Sequence, residues 1–435
     1  MKICIKVLII LLFFVFIFPQ RALAKGEYDF DLTEIEKRPY RIGGYFELRP
    51  LVFGLDRDAS LYKIKFYDRD EGKTLWEYNV KFQLDGSYEW KKAGIYIKTN
   101  SDLKKSYLGR SDKTSLYEGY LSIKPSFSFS MDIGKMQLKW GKGYAWNPVA
   151  FVDRPKDPDD PEIGLEGFIV AKAEYIKSFK GPLKSLALTP VLIPVTRDVN
   201  EDFGIVDHTN FAFKAYFLLY NTDIDLIAFR GQSKGDRYGF DFSRNIRSNF
   251  EVHGEWAYID DSKTQFIDSN GQILERISDT GSYLVGIRYL TASDTTYIFE
   301  YYHNGTGFYE HEVRDYFSFI NKGYATYLLS GDDTSIEKAY TLTEGNYGRM
   351  NPMRDYFYLR ISQKEPFDIL YLIPSIGMIY NTTDSSFSLS PELLYSPITN
   401  LELRLKGGFL SGRCLSEFGE KQNDYKIEFR CRYYY

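Results

Sequence analysis

The chain has 435 residues, of which 44% are hydrophobic and 17% aromatic, with Tyr 37 and Phe 33. Its formal charge of −4 excludes the basic surface that a nucleic-acid partner requires. Three cysteines, Cys4, Cys414 and Cys431, are too few for a secreted fold built on disulfides.

The first element is a leader. Lys2 and Lys6 precede an apolar run from Val7 to Phe18, and the small-residue site Ala22-Leu23-Ala24 follows. That order is a signal peptide over 1–24, with cleavage expected after Ala24 and the product exported. The run is shorter than the ~20 residues of a membrane-spanning helix. With Lys2, Lys6 and Arg21 removed, the formal charge falls from −4 to −7. Nothing later in the chain is apolar for long enough to span a membrane as a helix.

From residue 40 onward the sequence alternates. "TLWEYNVKFQL" sets Trp76, Tyr78, Val80, Phe82 and Leu84 against Glu77, Asn79, Lys81 and Gln83. "NFEVHGEWAY" sets Phe250, Val252, Gly254, Trp256 and Tyr258 against Glu251, His253 and Glu255. "NLELRLKGGF" repeats the pattern, with leucines opposed by Glu402, Arg404 and Lys406. Period two predicts strands. In chain order they fall at 40–49, 74–86, 92–100, 116–124, 127–138, 164–176, 183–194, 209–220 and 222–231. They continue at 236–244, 248–259, 281–291, 295–304, 354–363, 368–380, 385–395, 398–409 and 424–435.

The links take turns in length. "EWKKAG", "KPS", "FKGP", "NT", "NIRS", "TASDT", "QKEPFD" and "SPIT" are tight, and longer segments such as 50–73, 139–163, 195–208, 260–280 and 305–353 lie between them. A sandwich has no reason to sort its links this way. An outer-membrane barrel does. The fold class predicted is all-β: a transmembrane antiparallel β-barrel of about 18 strands with short periplasmic turns and long extracellular loops. Residues 25–39 then form a periplasmic N-terminal segment and 40–435 the barrel. The last strand, "KIEFRCRYYY", closes against the first. It faces lipid with Tyr425, Ile427, Phe429, Cys431, Tyr433 and Tyr435, and its aromatic end suits the membrane interface. That aromatic terminus also resembles the signal read by outer-membrane assembly machinery.

Function is then sought inside the barrel. Parity turns Glu251, His253, Glu255, Arg288, Arg360, Glu402, Arg404 and Lys406 toward the lumen. At this strand number a barrel holds an aqueous channel unless loops fill it. One loop stands out, "GKMQLKWGKGYAWNPVAFVDRPKDPDDPEIGLEG", Gly134 to Gly167. Its glycines permit a sharp inward turn, Trp140, Tyr144 and Trp146 anchor it, and Pro155, Pro158 and Pro161 stiffen it. Lys142, Asp153, Arg154, Lys156, Asp157, Asp159, Asp160 and Glu162 are its candidate pore-constriction charges, because a ring of charges sorts solutes. Their acidic excess gives an expectation of mild cation preference. The acidic run lacks the spacing and glycine of an EF-hand, so no metal site is assigned.

The same loop resembles the "G-K/R-x-x-x-x-W-G … N-P … R-P" segment of uncharacterised bacterial outer-membrane barrels related to the alginate-export-type porins. "DFDLTEIEKRPYRIGG", "RMNPMRDY" and "YNTTDSSFSLSPELLYSPITNLEL" resemble further segments of that family in the same order, although Met353 stands where its "G-R-D-Y" pattern has glycine. The resemblance implies an outer-membrane barrel and transport.

The function expected is a porin-like channel for passive diffusion of small hydrophilic or charged solutes, without enzymatic activity or cofactor. Its partners are outer-membrane lipid, the assembly machinery and the solute. One alternative is a sleeve or docking platform for a periplasmic or electron-transfer partner. Another is an outer-membrane hydrolase using His253, flanked by Glu251 and Glu255, as a base. No serine motif accompanies that histidine.

Overall fold

The structure is a computed structural model, and it describes residues 39–161 and 163–435. The expected leader over 1–24, nearly all of the 25–39 segment and Glu162 lie outside the described residues.

Eighteen strands form one antiparallel sheet. They are β1 (Tyr40–Leu55), β2 (Thr74–Glu89), β3 (Ala93–Ser106), β4 (Gly109–Ser126), β5 (Phe129–Met136) and β6 (Phe168–Ser178). Next come β7 (Leu183–Val195), β8 (His208–Leu219), β9 (Thr222–Arg230), β10 (Arg237–Arg247), β11 (Phe250–Ile267) and β12 (Ile273–Leu290). The last six are β13 (Thr295–His303), β14 (Asp355–Gln363), β15 (Leu372–Asn381), β16 (Ser386–Ile398), β17 (Leu401–Ser411) and β18 (Asn423–Tyr434). Each strand pairs with its neighbours in sequence, and β1 also pairs with β18, Tyr45 lying opposite Tyr434 and Leu51 opposite Glu428. The sheet is therefore a closed barrel, with no edge left to pair with another chain.

The alternation read from sequence is the inside and outside of this barrel. Trp76, Phe82, Leu405, Ile427, Phe429 and Tyr433 are exposed on the outer surface, while Glu47, Glu255, Glu300, Arg404, Glu428 and Arg430 are buried. A water-soluble sandwich would show the reverse. Among the described residues no helix is long and apolar enough to cross a membrane, which says nothing against crossing by strands.

One rim carries the connections 90–92, 127–128, 179–182, 220–221, 248–249, 291–294, 364–371 and 399–400. The other carries 56–73, 137–167, 196–207, 304–354 and 412–422. Two corrections apply to that second rim. The link 260–280 is mostly strand: β11 runs on to Ile267 and β12 begins at Ile273. Likewise β3 and β4 continue through 101–115 and meet at a tight turn over 107–108. The sequence there, "SDLKKSYLGRSDKTS", has little apolar alternation. A ladder that is wet on both faces needs none.

The long links also hold helices that period-two reading passes over. They are α1 (Ser60–Phe66), α2 (Glu310–Ser330) and α3 (Thr334–Leu342). The buried side of α2 is Val313, Tyr316, Phe317 and Ile320, a spacing of three and four that marks a helix face. Glu312 accepts the Tyr309 N–H at 2.9 Å at the helix start, and left-handed Gly331 ends it. The three helices pack with Trp146, Leu284, Tyr347, Tyr356 and Phe418 into one apolar core. A second core joins Trp140, Val149, Phe151 and Val152 of the 137–167 loop to Val191, Ile193, Phe229 and Ala257 of the wall. Side chains of the loops thus fill the barrel against β6 to β15.

Candidate functional site

The 137–167 loop leaves β5 through Lys139, at φ 56°, and Gly141, at φ 100°. Asp153 closes its root by accepting the backbone N–H groups of Leu138 at 2.8 Å and Trp140 at 3.0 Å. The chain then makes contact with wall residues on widely separated strands.

On one side it meets β9 to β13. The Lys142 ammonium lies 2.9 Å from Asp225 and 3.7 Å from Asp241. Burial opposes that charge, but the two carboxylates prevail and raise its pKa. Tyr144 donates its hydroxyl to Glu251 at 3.2 Å. Trp146 stacks on Tyr302 and donates its indole N–H to Asn351 at 3.1 Å. Glu255 and Glu300 accept backbone N–H groups of the same segment.

On the other side the tip meets β16 to β18. Arg404 Nη1 donates to both Asp160 oxygens, at 3.1 and 3.0 Å, and Arg430 adds a third bond at 2.9 Å. Arg404 also donates to Glu392 at 2.5 Å. Lys406 donates to the Asp159 carbonyl, and Ser390 donates to the Asp159 carboxylate at 3.2 Å. Within the loop, Asp157 accepts the Asp159 N–H at 2.9 Å and Lys156 donates to the Gly143 carbonyl at 2.8 Å. Arg154 turns to the rim, pairing with Asp202 at 2.5 Å over the Phe168 ring.

The remaining lumen residues have separate places. His253 is fully buried, 2.9 Å from Glu300 and edge-on to Tyr144. Arg288 lies 3.9 Å from Glu251 and Arg360 lies 3.6 Å from Glu392. Glu402 accepts the Tyr434 hydroxyl at 3.2 Å and lies 3.6 Å from Arg432. Asp225 and Asp241 were missed as partners of the loop, and Glu392 as the partner of Arg404 and Arg360. Strand parity alone would have turned them inward, but it names no partner across the lumen.

The wall on β2 to β6 is different. It carries the cross-strand pairs Glu77–Lys104, Lys81–Asp102, Lys98–Glu118 and Asp132–Lys172, with Lys104 and Asp102 still 48% and 40% exposed. Its signs alternate, and the loop cores reach it only at its loop-side ends, at Leu75, Met136, Phe168 and Val170.

The Asp160 anchor has a definite pH range. Burial alone would raise this carboxyl, but Arg404 and Arg430 overcome it and hold the pKa at about 2. The depressed value means that the anchor is complete above the free aspartate pKa of about 3.9 and fades as pH falls toward 2. A spin label at Pro161 is expected to stay immobile from neutral pH to about 4 and to loosen only in stronger acid. In Asp160→Asn it should be loose throughout. A label equally immobile in both proteins would remove the anchor's role.

A closed barrel of eighteen antiparallel strands, apolar outside and charged within, has the fold of the bacterial outer-membrane porins. Comparison with solved structures bears this out. OccK5 (OpdH) of Pseudomonas aeruginosa aligns with TM-score 0.53 over 90% of this chain and 97% of its own, at 12% identity. OccAB1 of Acinetobacter baumannii aligns with TM-score 0.53 over 91% and 96%, at 10% identity. Wzi, a carbohydrate-binding barrel involved in group 1 capsule assembly in Escherichia coli, aligns with TM-score 0.53 over 91% and 84%, at 9% identity. The likeness is one of fold. No protein-family model and no curated protein matches the sequence.

Proposed function

We propose that this protein is an outer-membrane channel through which small hydrophilic or charged solutes diffuse passively, its aperture set by the 137–167 loop. The observation that carries the reading is the loop's reach. It makes polar contacts with β9 to β13 through Lys142 to Val149 and with β16 to β18 through Asp159 and Asp160. A segment tied to both walls narrows what would otherwise be a wide lumen. The passage then runs along β2 to β6, where the wall keeps its exposed charges.

The acidic excess of the loop does not translate into a strong preference for cations on this reading. Asp160 faces two arginines and Asp153 is taken by backbone donors, while the β2 to β6 wall alternates in sign. Weak ion selectivity is expected. The kinship with alginate-export-type porins belongs to the same reading, as do the exported leader over 1–24, the periplasmic segment over 25–39, contact with lipid, and assembly through the last strand.

Against the hydrolase alternative stands the burial of His253, which has no exposed surface beneath the loop through which to meet a solute. The test is planar-bilayer conductance of the protein without residues 1–24. Discrete ohmic steps with weak selectivity are expected. A folded barrel that never conducts would overturn the channel and favour the docking platform.

A further inference from the structure

The segment "WGKGYAWNPV", Trp140 to Val149, is written like a flexible hinge, with two glycines and a turn-forming Asn-Pro. In the folded protein it lies on two buried wall carboxylates. Glu255 Oε1 accepts the backbone N–H groups of Lys142 and Gly143, both at 2.6 Å, and the Asn147 amide at 2.8 Å. Its Oε2 accepts the Val149 N–H at 3.3 Å. Glu300 Oε1 accepts the Tyr144 N–H at 2.5 Å and lies 2.9 Å from His253 Nε2, and its Oε2 accepts the Ala145 N–H at 2.9 Å. Four consecutive amides, 142 to 145, therefore converge on two carboxylates that are 3% and 0% exposed. Successive N–H groups pointing one way form an anion-binding concavity.

The glycines fit this role. A Cβ on Gly141 would come within 2.8 Å of Glu255 Oε1 and 2.5 Å of the Asn147 amide nitrogen. One on Gly143 would come within 2.1 Å of the Trp146 carbonyl and 3.3 Å of Glu255 Oε1. Any side chain at these places pushes the backbone off the carboxylates. The glycines make room for a close approach, and the segment they belong to is fixed at both oxygens of each acid.

We propose that Glu255 and Glu300 are the positioning residues of the channel's constriction. They bind the 142–149 backbone as an internal anion pair and so determine where the loop stands in the lumen. The inference rests on the channel reading for its consequence, but its geometry is independent of conduction. Glutamine at either place keeps the shape and turns an amide NH2 toward donors that need an acceptor, leaving buried N–H groups unpaired.

The experiment compares Glu255→Gln/Glu300→Gln with the unmodified protein in detergent and in lipid. Two readouts are needed: hydrogen–deuterium exchange of the 141–149 amides and single-channel recording. The double variant is expected to migrate as a folded, heat-modifiable barrel, to exchange these amides at least about tenfold faster, the ratio that one weakened hydrogen bond allows, and to flicker between conductance levels. Glu275→Gln, on the exposed β11–β12 hairpin, should change neither readout. If the double variant fails to fold, Gly141→Ala alters no wall strand and should give the same faster exchange. Unchanged exchange in a folded variant would overturn the inference. Faster exchange in a protein that never conducts would keep the positioning role and overturn the channel instead.

Discussion

Deleting residues 153–162 is expected to raise single-channel conductance severalfold while the barrel stays folded. The deleted stretch contributes no strand, and the wall beneath it is a continuous hydrogen-bonded sheet. It does contribute the loop's whole attachment to β16 to β18, through Asp159 and Asp160. Without it, half of the crossing is gone. The change also leaves Arg404, Lys406 and Arg430 facing water without Asp160, opposed by Glu392, Glu428 and Glu47. Selectivity should therefore shift toward anions. Charges outside a constriction are screened within about 10 Å at 0.1 M salt, so the shift should be clearest in dilute electrolyte. Bilayer recording with a salt gradient measures both quantities. A folded variant with unchanged conductance would put the tip outside the conducting path.

The second large effect separates the two faces of one strand. Leu405 is 50% exposed on the outer face of β17, near its middle, and Arg404 is 7% exposed on the inner face. Leu405→Arg places a charge where the reading puts hydrocarbon, at a cost of about 2–4 kcal/mol near the midplane. Sequence parity alone makes Arg404→Leu the milder change, since a lumen residue tunes selectivity. The contacts reverse that expectation. Arg404 holds Asp160 and Glu392, and removing one member of a buried ion pair costs about 3–5 kcal/mol. The two losses differ in kind. Asp160→Asn should recover part of the stability lost in Arg404→Leu, because it removes one stranded charge, and should do nothing for Leu405→Arg. Urea unfolding from liposomes decides the matter. Equal rescue of both variants would show that the assignment of faces is wrong.

These two residues also show what was legible in the sequence. Alternation is a local property, so "NLELRLKGGF" sufficed to place Leu405 and Arg404 on opposite faces. The same signal marked all eighteen strands, because an apolar outer face is required along each of them. It fell silent at 101–115 and 260–280, where the strands continue without that requirement. It could not register α2, whose apolar residues repeat at three and four. Stiffness and aromatic content singled out the 137–167 loop, but not what its residues touch. Asp160 meets Arg404 and Arg430 at separations of 244 and 270 positions, and no local pattern encodes such a meeting. The glycines were read as freedom to turn. Their close neighbours are Asn147 and Trp146 of the loop itself and the Glu255 carboxylate, which a strand more than a hundred positions away brings there.

Those long separations also impose an order in time. Asp160 lies between β5 and β6, whereas Arg404 and Arg430 stand on β17 and β18, and β18 is the strand that pairs with β1. The tip has all of its partners only when β16, β17 and β18 stand in one sheet with β5 and β6. Until that moment part of its attachment is missing. The Asp160 contact is thus complete only in the finished circle, and a chain stalled with its final strand unpaired would be marked by a tip that lacks the Arg430 bond.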